Sequence, residues 1–278
     1  MGQSSVVGKG RQIREMKVIA HKYKYGWPFL VLWMLFLFSG CASLSVYNPA
    51  TERKEFVLIS TESEVNLGND VHRQIVEQYK PSADKAQQQR IESIGRRVAQ
   101  VSDRQDYSYQ FFLVESEDPN AFTIPGGRIY LFSGLLGKLK RDEEIAAVLA
   151  HEIGHCAARH TAKKYQAALG YSLLGSIVLS QLELEKQAQQ LVVNSSDTVM
   201  QLIFSAYSRE DEYQADKLAV KYMFLAGYDP NEVVRALESL EAESKGASAP
   251  LILRTHPYIK DRIQRAQEEI QALLKKKN

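Results

Sequence analysis

The chain has 278 residues, 45% of them apolar and 24% charged, with 16 glycines and 8 prolines, which excludes a disordered or collagen-like polymer. Its length suits one globular domain, since domains commonly reach about 200 to 250 residues before splitting. The net charge of +2 is local in origin: residues 1–40 hold six Lys/Arg and one acidic residue, leaving 29 basic and 32 acidic residues beyond them. A nucleic-acid binder carries its basic excess on the folded part, so no nucleic-acid partner is expected. Two cysteines, Cys41 and Cys156, exclude a disulfide framework.

From Trp27 to Phe38 the chain is apolar for 12 residues, preceded by Lys17, Lys22 and Lys24 and followed by Ser39 and Gly40. Twelve helical residues reach about 18 Å, short of the roughly 30 Å of a bilayer's hydrocarbon, so this reads as a signal peptide. The run F-S-G-C-A-S resembles the lipobox of bacterial lipoproteins, with Phe38 in place of the usual Leu. The resemblance implies cleavage before Cys41, lipid attachment there, and, because Ala42 follows, transport to an outer membrane. Residues 1–40 are then a leader, of which 1–15 are surplus if the chain starts at Met16. Residues 41–60 read as a linker, and 61–278 as the domain.

Helical periodicity runs over 62–80 and 83–103 on either side of Pro81, with Ile91, Ile94, Val98 and Val101 on one stripe. Residues 107–114 alternate and are rich in aromatic and β-branched types, and 121–124 and 128–132 flank Pro125-Gly126-Gly127. A small antiparallel sheet is predicted. The remainder reads as helices over 141–164, 166–190, 196–226, 230–243 and 257–275, so the fold class is α+β and mostly helical. The apolar but Gly- and Ser-interrupted stretch 167–182 is expected to cover the site as a helical hairpin, or else to act as a lid or touch a membrane.

Inside the helix from Asp142 stands His151-Glu152-Ile153-Gly154-His155. Two histidines four residues apart project about 40° from each other on successive turns and can share one cation. Glu152 flanks that face, where a carboxylate can act on metal-bound water as a general base without being a ligand. Ile145, Leu149, Ile153 and Cys156 fall on the opposite, core-facing side, so Cys156 reads as a packed thiol. Glu144, in the first helical turn with Asp142 and Glu143, offsets the helix dipole. His160, nine helical steps beyond His151, points away, and His21 and His72 have no partners in sequence. A catalytic zinc site needs a third protein ligand and an open position. Glu212 and Asp216 lie four apart in S-R-E-D-E-Y-Q-A-D, but spacing does not choose between Glu210 and Glu212.

H-E-I-G-H, S-R-x-x-E-x-x-A-D, N-A-F-x-x-P-G-G-x-I-Y and a late T-H-P together resemble the zinc endopeptidase family that contains the CAAX prenyl proteases, HtpX and the periplasmic BepA-like proteases, over roughly residues 60 to 270. The resemblance implies a zincin-like domain with one Zn2+, held by His151, His155 and Glu212, with Glu152 as base. It implies that Asp216 orients an imidazole, that of His151. It also places His256 near the zinc, either to stabilise an oxyanion or to fill the open position in a latent state, with Arg262 assisting. The structural alternative is that His256 only caps or packs before Pro257. Zinc over manganese or cobalt is likewise implied by the family, because nitrogen and oxygen donors accept all three.

Hydrolysis requires an extended substrate, and an edge strand can template one. Arg128, Ile129 and Tyr130, in the strand 128–132, are the candidate substrate-binding residues. The expected function is a lipid-anchored envelope endopeptidase, with protein or peptide substrates, acting on misfolded or misassembled proteins; the alternative is a chaperone-like envelope protein with a latent or structural metal site. Only 22 residues follow His256, where BepA-like relatives carry a helical repeat domain, so no partner docking through such repeats is expected.

Overall fold

The computed structural model describes residues 45–168, 170, 196–243 and 250–277. The leader, Cys41, and all of 167–182 except 167, 168 and 170 lie outside the described residues. A division falls between Ser45 and Val46, and the fold is that of the unit beginning at Val46. Where the sequence reads a linker, β1 (Ser45–Asn48) and β2 (Arg53–Phe56) form a two-stranded sheet.

Two amphipathic helices follow. In α1 (Thr61–Gln78), Ser60 caps the first turn by accepting from the Ser63 amide, and Glu64, Gly68, Val71 and Ile75 are buried at helical spacing. In α2 (Lys85–Ala99), Asp84 caps through the Gln87 amide, and Ile91, Ile94 and Val98 are buried.

The strands β3 (Gln110–Val114), β4 (Ala121–Ile124) and β5 (Arg128–Phe132) form one sheet in the order β3-β5-β4. This corrects two expectations. The sheet is mixed: β3 runs parallel to β5, with Gln110 opposite Arg128, while β4 runs antiparallel, with Ala121 opposite Leu131. And β5 is the central strand, not an edge. The physical reason is its unbroken apolar run Ile129–Phe132, which suits a strand covered on both faces. Ile129 and Leu131 face the main core, whereas Tyr130 and Phe132 join a second cluster with Val71, Ile75, Phe122 and Ile124. Gly126 and Gly127, at φ +85° and +80°, supply the left-handed backbone that lets β4 turn directly into β5.

After the short α3 (Ser133–Leu136) comes α4 (Asp142–Ala157). Glu144 accepts from the backbone amides of Lys140 and Arg141 at its start. The expected single apolar stripe is not what is observed: apart from Val148, every residue from Ile145 to Ala157 is buried, because α4 lies between the sheet and the helices around it. The predicted helix 141–164 breaks at Ala158 and Arg159, and helix resumes at residue 160. Arg159 adopts φ +58°. It is held there by Glu64, by Thr61 Oγ1 at 3.1 Å and by the Ile59 carbonyl at 3.4 Å.

The predicted helix 196–226 is also two: α5 (Ser196–Ile203) and α6 (Arg209–Leu225). Ser208 starts α6, with its hydroxyl accepting from the Asp211 amide while Asp211 accepts from the Ser208 amide. Then come α7 (Asn231–Glu243), α8 (Leu251–Thr255) and α9 (Ile259–Lys277). Among the described residues no helix is long and apolar enough to cross a membrane.

Glu64 anchors the break after α4. Its buried carboxylate accepts from Arg104 at 3.2 Å, from Arg159 and from the Tyr107 hydroxyl. Removing one partner of such a buried charge set costs about 3–5 kcal/mol, because the others remain desolvated. Glu64→Ala is expected to lower the unfolding free energy by that amount in urea denaturation; a loss below about 1 kcal/mol would mean the cluster does not hold the fold.

Candidate metal centre

His151 and His155 stand one turn apart on α4, with Nε2 atoms 3.1 Å from each other. Helix α6 crosses them at close range because Gly154 faces Ala215: a Cβ on Gly154 would lie 2.7 Å from the Ala215 carbonyl oxygen. That approach brings Glu212 Oε2 to 3.5 Å from His151 Nε2 and Glu212 Oε1 to 3.5 Å from His155 Nε2. His256, between α8 and α9, places Nδ1 3.0 Å from Glu212 Oε1 and 3.3 Å from His151 Nε2. One ligand atom from each of these four buried residues falls within 4.8 Å of the others. Glu152 is buried beside them, with Oε1 3.6 Å from His256 Nε2 and Oε2 without a hydrogen-bond partner.

A ring of contacts surrounds this cluster. Asp216 Oδ1 lies 2.8 Å from His151 Nδ1. Arg262, in the first turn of α9, donates to both Asp216 oxygens at 2.7 and 2.8 Å and sits 2.5 Å from Glu212 Oε2. The His155 ring stacks on Tyr207, centroids 3.9 Å apart, and its Nδ1 lies 2.8 Å from His160 Nδ1.

The electrostatics suit cation binding. Burial alone would raise the Glu212 carboxyl, but Arg262 and His256 outweigh it and hold it well below the usual carboxylate range. Asp216 is also lowered, Arg262 again overcoming burial. Burial drives His155 well below its ordinary value, leaving a neutral imidazole. Burial raises the Glu152 carboxyl, against the pull of His256 and His151.

The donor set accommodates a tetrahedral divalent ion. With Nδ1 of His151 hydrogen-bonded to a carboxylate, its Nε2 presents a lone pair toward His155 Nε2. Two imidazoles and a carboxylate are the ligand types of catalytic zinc, whose tetrahedral donor edges at bond lengths near 2.0–2.2 Å are about 3.3–3.6 Å. The His151–His155 edge measures 3.1 Å, and each imidazole Nε2 has a different Glu212 oxygen at 3.5 Å, Oε2 for His151 and Oε1 for His155.

Of the residues singled out from sequence, His151, Glu152, His155, Glu212, Asp216, His256 and Arg262 converge. Glu210 is exposed and accepts from Gln214 Nε2 at 3.2 Å, away from the cluster. Arg128, Ile129 and Tyr130 do not join it, which corrects their assignment as a substrate template: Arg128 bonds Asn69, Ile129 is buried in the core, and the Tyr130 hydroxyl pairs with His72 Nδ1 at 2.6 Å. Both edges of β5 are occupied. Cys156 is a packed thiol, 2.8 Å from Thr123 Oγ1, and burial pushes it up to about 12. Two residues at the site went unread. Tyr207 lies in no motif, and an uninterrupted helix would turn His160 away from His155.

The model of Peptidase family M48 matches residues 85–270, and the chain belongs to that family of metallopeptidases. The mitochondrial metalloendopeptidase OMA1 of Schizosaccharomyces pombe is 28% identical over 80% of this chain and 65% of its own length. The β-barrel assembly-enhancing protease of Escherichia coli is 28% identical over 74% of this chain and 43% of its own. The crystal structure of S. mikatae Ste24p aligns with 92% of this chain and 66% of its own at 20% identity, with a TM-score of 0.41. The chain thus spans less than two thirds of the length of these two curated relatives.

Gly154→Ala tests the crossing. A methyl group pressed against the Ala215 backbone is expected to cost about 1–3 kcal/mol in urea unfolding and to weaken zinc binding by separating Glu212 from the two histidines. Unchanged zinc affinity by competition with a chelating dye would show that the close approach does not set the site.

Proposed function

We propose that this chain is a zinc-dependent endopeptidase that holds one Zn2+ through His151, His155 and Glu212. The observation that carries this reading is the convergence of two imidazoles, that of His155 neutral, and an ionised carboxylate, with a further carboxylate, Glu152, beside them. Zinc bound there would supply Lewis acidity toward the scissile carbonyl and toward a water molecule. Glu152 accepts the proton of the attacking water and returns it to the departing amine, so no covalent acyl-enzyme is required. Asp216 accepts the His151 Nδ1–H and fixes that ring. Arg262 keeps Asp216 and Glu212 ionised in a buried setting. His256 is within reach of a developing oxyanion, or fills the corner that catalysis needs for solvent. Substrate pairing is assigned to β4, whose outer edge has no strand partner among the described residues and which packs on α4 through Thr123 and Cys156.

The proposed setting is the cell envelope, with a lipid anchor at Cys41 in the outer membrane and misfolded or misassembled envelope proteins as substrates. Support comes from the Trp27–Phe38 leader ending at Cys41 and from the similarity to a relative described as a β-barrel assembly-enhancing protease. A second reading, a chaperone-like envelope protein with a latent metal site, draws on His256, which supplies the cluster's fourth donor.

Metal analysis and casein digestion by the full chain, with and without chelator, separate these readings. Glu152→Gln is expected to retain one zinc per chain while proteolysis falls by about 10²- to 10⁴-fold, the range for losing a general base. Full activity in a metal-free protein would refute the zinc reading, and unaltered function of the variant in cells would favour the chaperone-like one.

A further inference from the structure

His160 belongs to no recognised motif and takes no part in the chemistry above, yet it is buried against a proposed zinc ligand. Its Nδ1 lies 2.8 Å from Nδ1 of His155. Its Nε2 lies 3.2 Å from Gln214 Oε1 and 3.4 Å from Asp211 Oδ1, which leaves no acceptor function for that nitrogen. The chain of contacts continues outward. Gln214 Oε1 also accepts from Asn48 Nδ2 at 2.9 Å, and Asn48 Nδ2 donates to Glu55 Oε1 at 2.7 Å. His160, Gln214 and Asn48 are all buried.

The acceptors at the far end determine where the hydrogens lie. Oxygens of Gln214 and Asp211 facing His160 Nε2 call for an N–H there, so neutral His160 is left with a lone pair on Nδ1. The nitrogen opposite, Nδ1 of His155, must then donate. His155 is thereby held as the tautomer whose Nε2 lone pair faces Glu212 and His151. Asp216 performs the corresponding task for His151, so each ring of the pair has its own orienting partner.

We infer that His160, set by Gln214 and Asn48, is a positioning residue that fixes the tautomer and ring orientation of His155 for zinc, and that the β1–β2 sheet reaches the metal centre through this relay. The inference rests on the zinc reading. It depends on the break at Ala158 and Arg159, because an uninterrupted helix would carry His160 to the far side of α4.

The test uses the full chain and Zn2+ as the probe. His160→Phe, which keeps a ring but removes the acceptor, is expected to weaken zinc binding by about 10- to 100-fold in chelator competition, the usual effect of losing a ligand's hydrogen-bond partner. Gln214→Leu should weaken it in the same direction, and saturating zinc should restore proteolysis to both. Near-UV circular dichroism checks that the variants fold. Should His160→Phe fail to fold, ¹⁵N-labelled histidine spectra of the unaltered zinc-loaded protein decide: a proton on Nδ1 of His155 and on Nε2 of His160 supports the relay, and the opposite tautomers overturn it. Zinc affinity of folded His160→Phe within twofold of the parent would also overturn it. An unaltered protein that binds no zinc would instead refute the functional reading on which this rests.

Discussion

The site depends on how closely two helix backbones can approach. A histidine pair one turn apart offers two nitrogens from a single helix, but a third donor must arrive from another element to within about 3.5 Å, inside the spacing that ordinary side chains impose between packed helices. Gly154 lies between the two histidines and faces Ala215, which itself lies between Glu212 and Asp216. With no Cβ on one side and only a methyl group on the other, α4 and α6 meet nearly backbone to backbone. Glu212 then reaches both Nε2 atoms, and Asp216, one turn on, reaches the far nitrogen of His151.

That contact gathers acids where burial penalises them. Glu152, Glu212 and Asp216 are each nearly inaccessible, and desolvated carboxylates persist as anions only with paired positive charge. Arg262 provides part of it, bridging Asp216 and Glu212 with separate nitrogens. A divalent cation among the Nε2 atoms would supply the remainder. The arginine would then hold the framework of acids, and the ion would supply the Lewis acidity.

A second, remote charge cluster shapes the same region. Glu64 on α1 draws in Arg104 and Arg159, and Arg159 takes a left-handed backbone conformation to reach it. The turn so formed ends α4 at Ala157, one residue after Cys156, and folds His160 back beside His155. The sheet contributes on the other side: β5 is shared between two apolar layers, and β4 lies against α4 through Thr123.

Whatever depends on neighbours a few residues apart was legible in the chain. The histidine pair, the Glu212–Asp216 pair, the capped starts of α1 and α2 and the Pro-Gly-Gly turn follow from helical angles, cap chemistry and glycine's freedom at positive φ. What depends on distant partners was not. Ala158 and Arg159 are good helix formers with no glycine or proline between them, so the break exists only because Glu64, nearly a hundred residues earlier, captures a guanidinium. The central place of β5 arises from β3 pairing in parallel across an intervening strand, and a run of five residues carries no mark of which edge will be covered. That Glu212 rather than Glu210 faces the histidine pair, and that His256 lies beside it, likewise depends on tertiary packing. Local periodicity states which side chains share a face; only the packing of one element on another decides what that face meets.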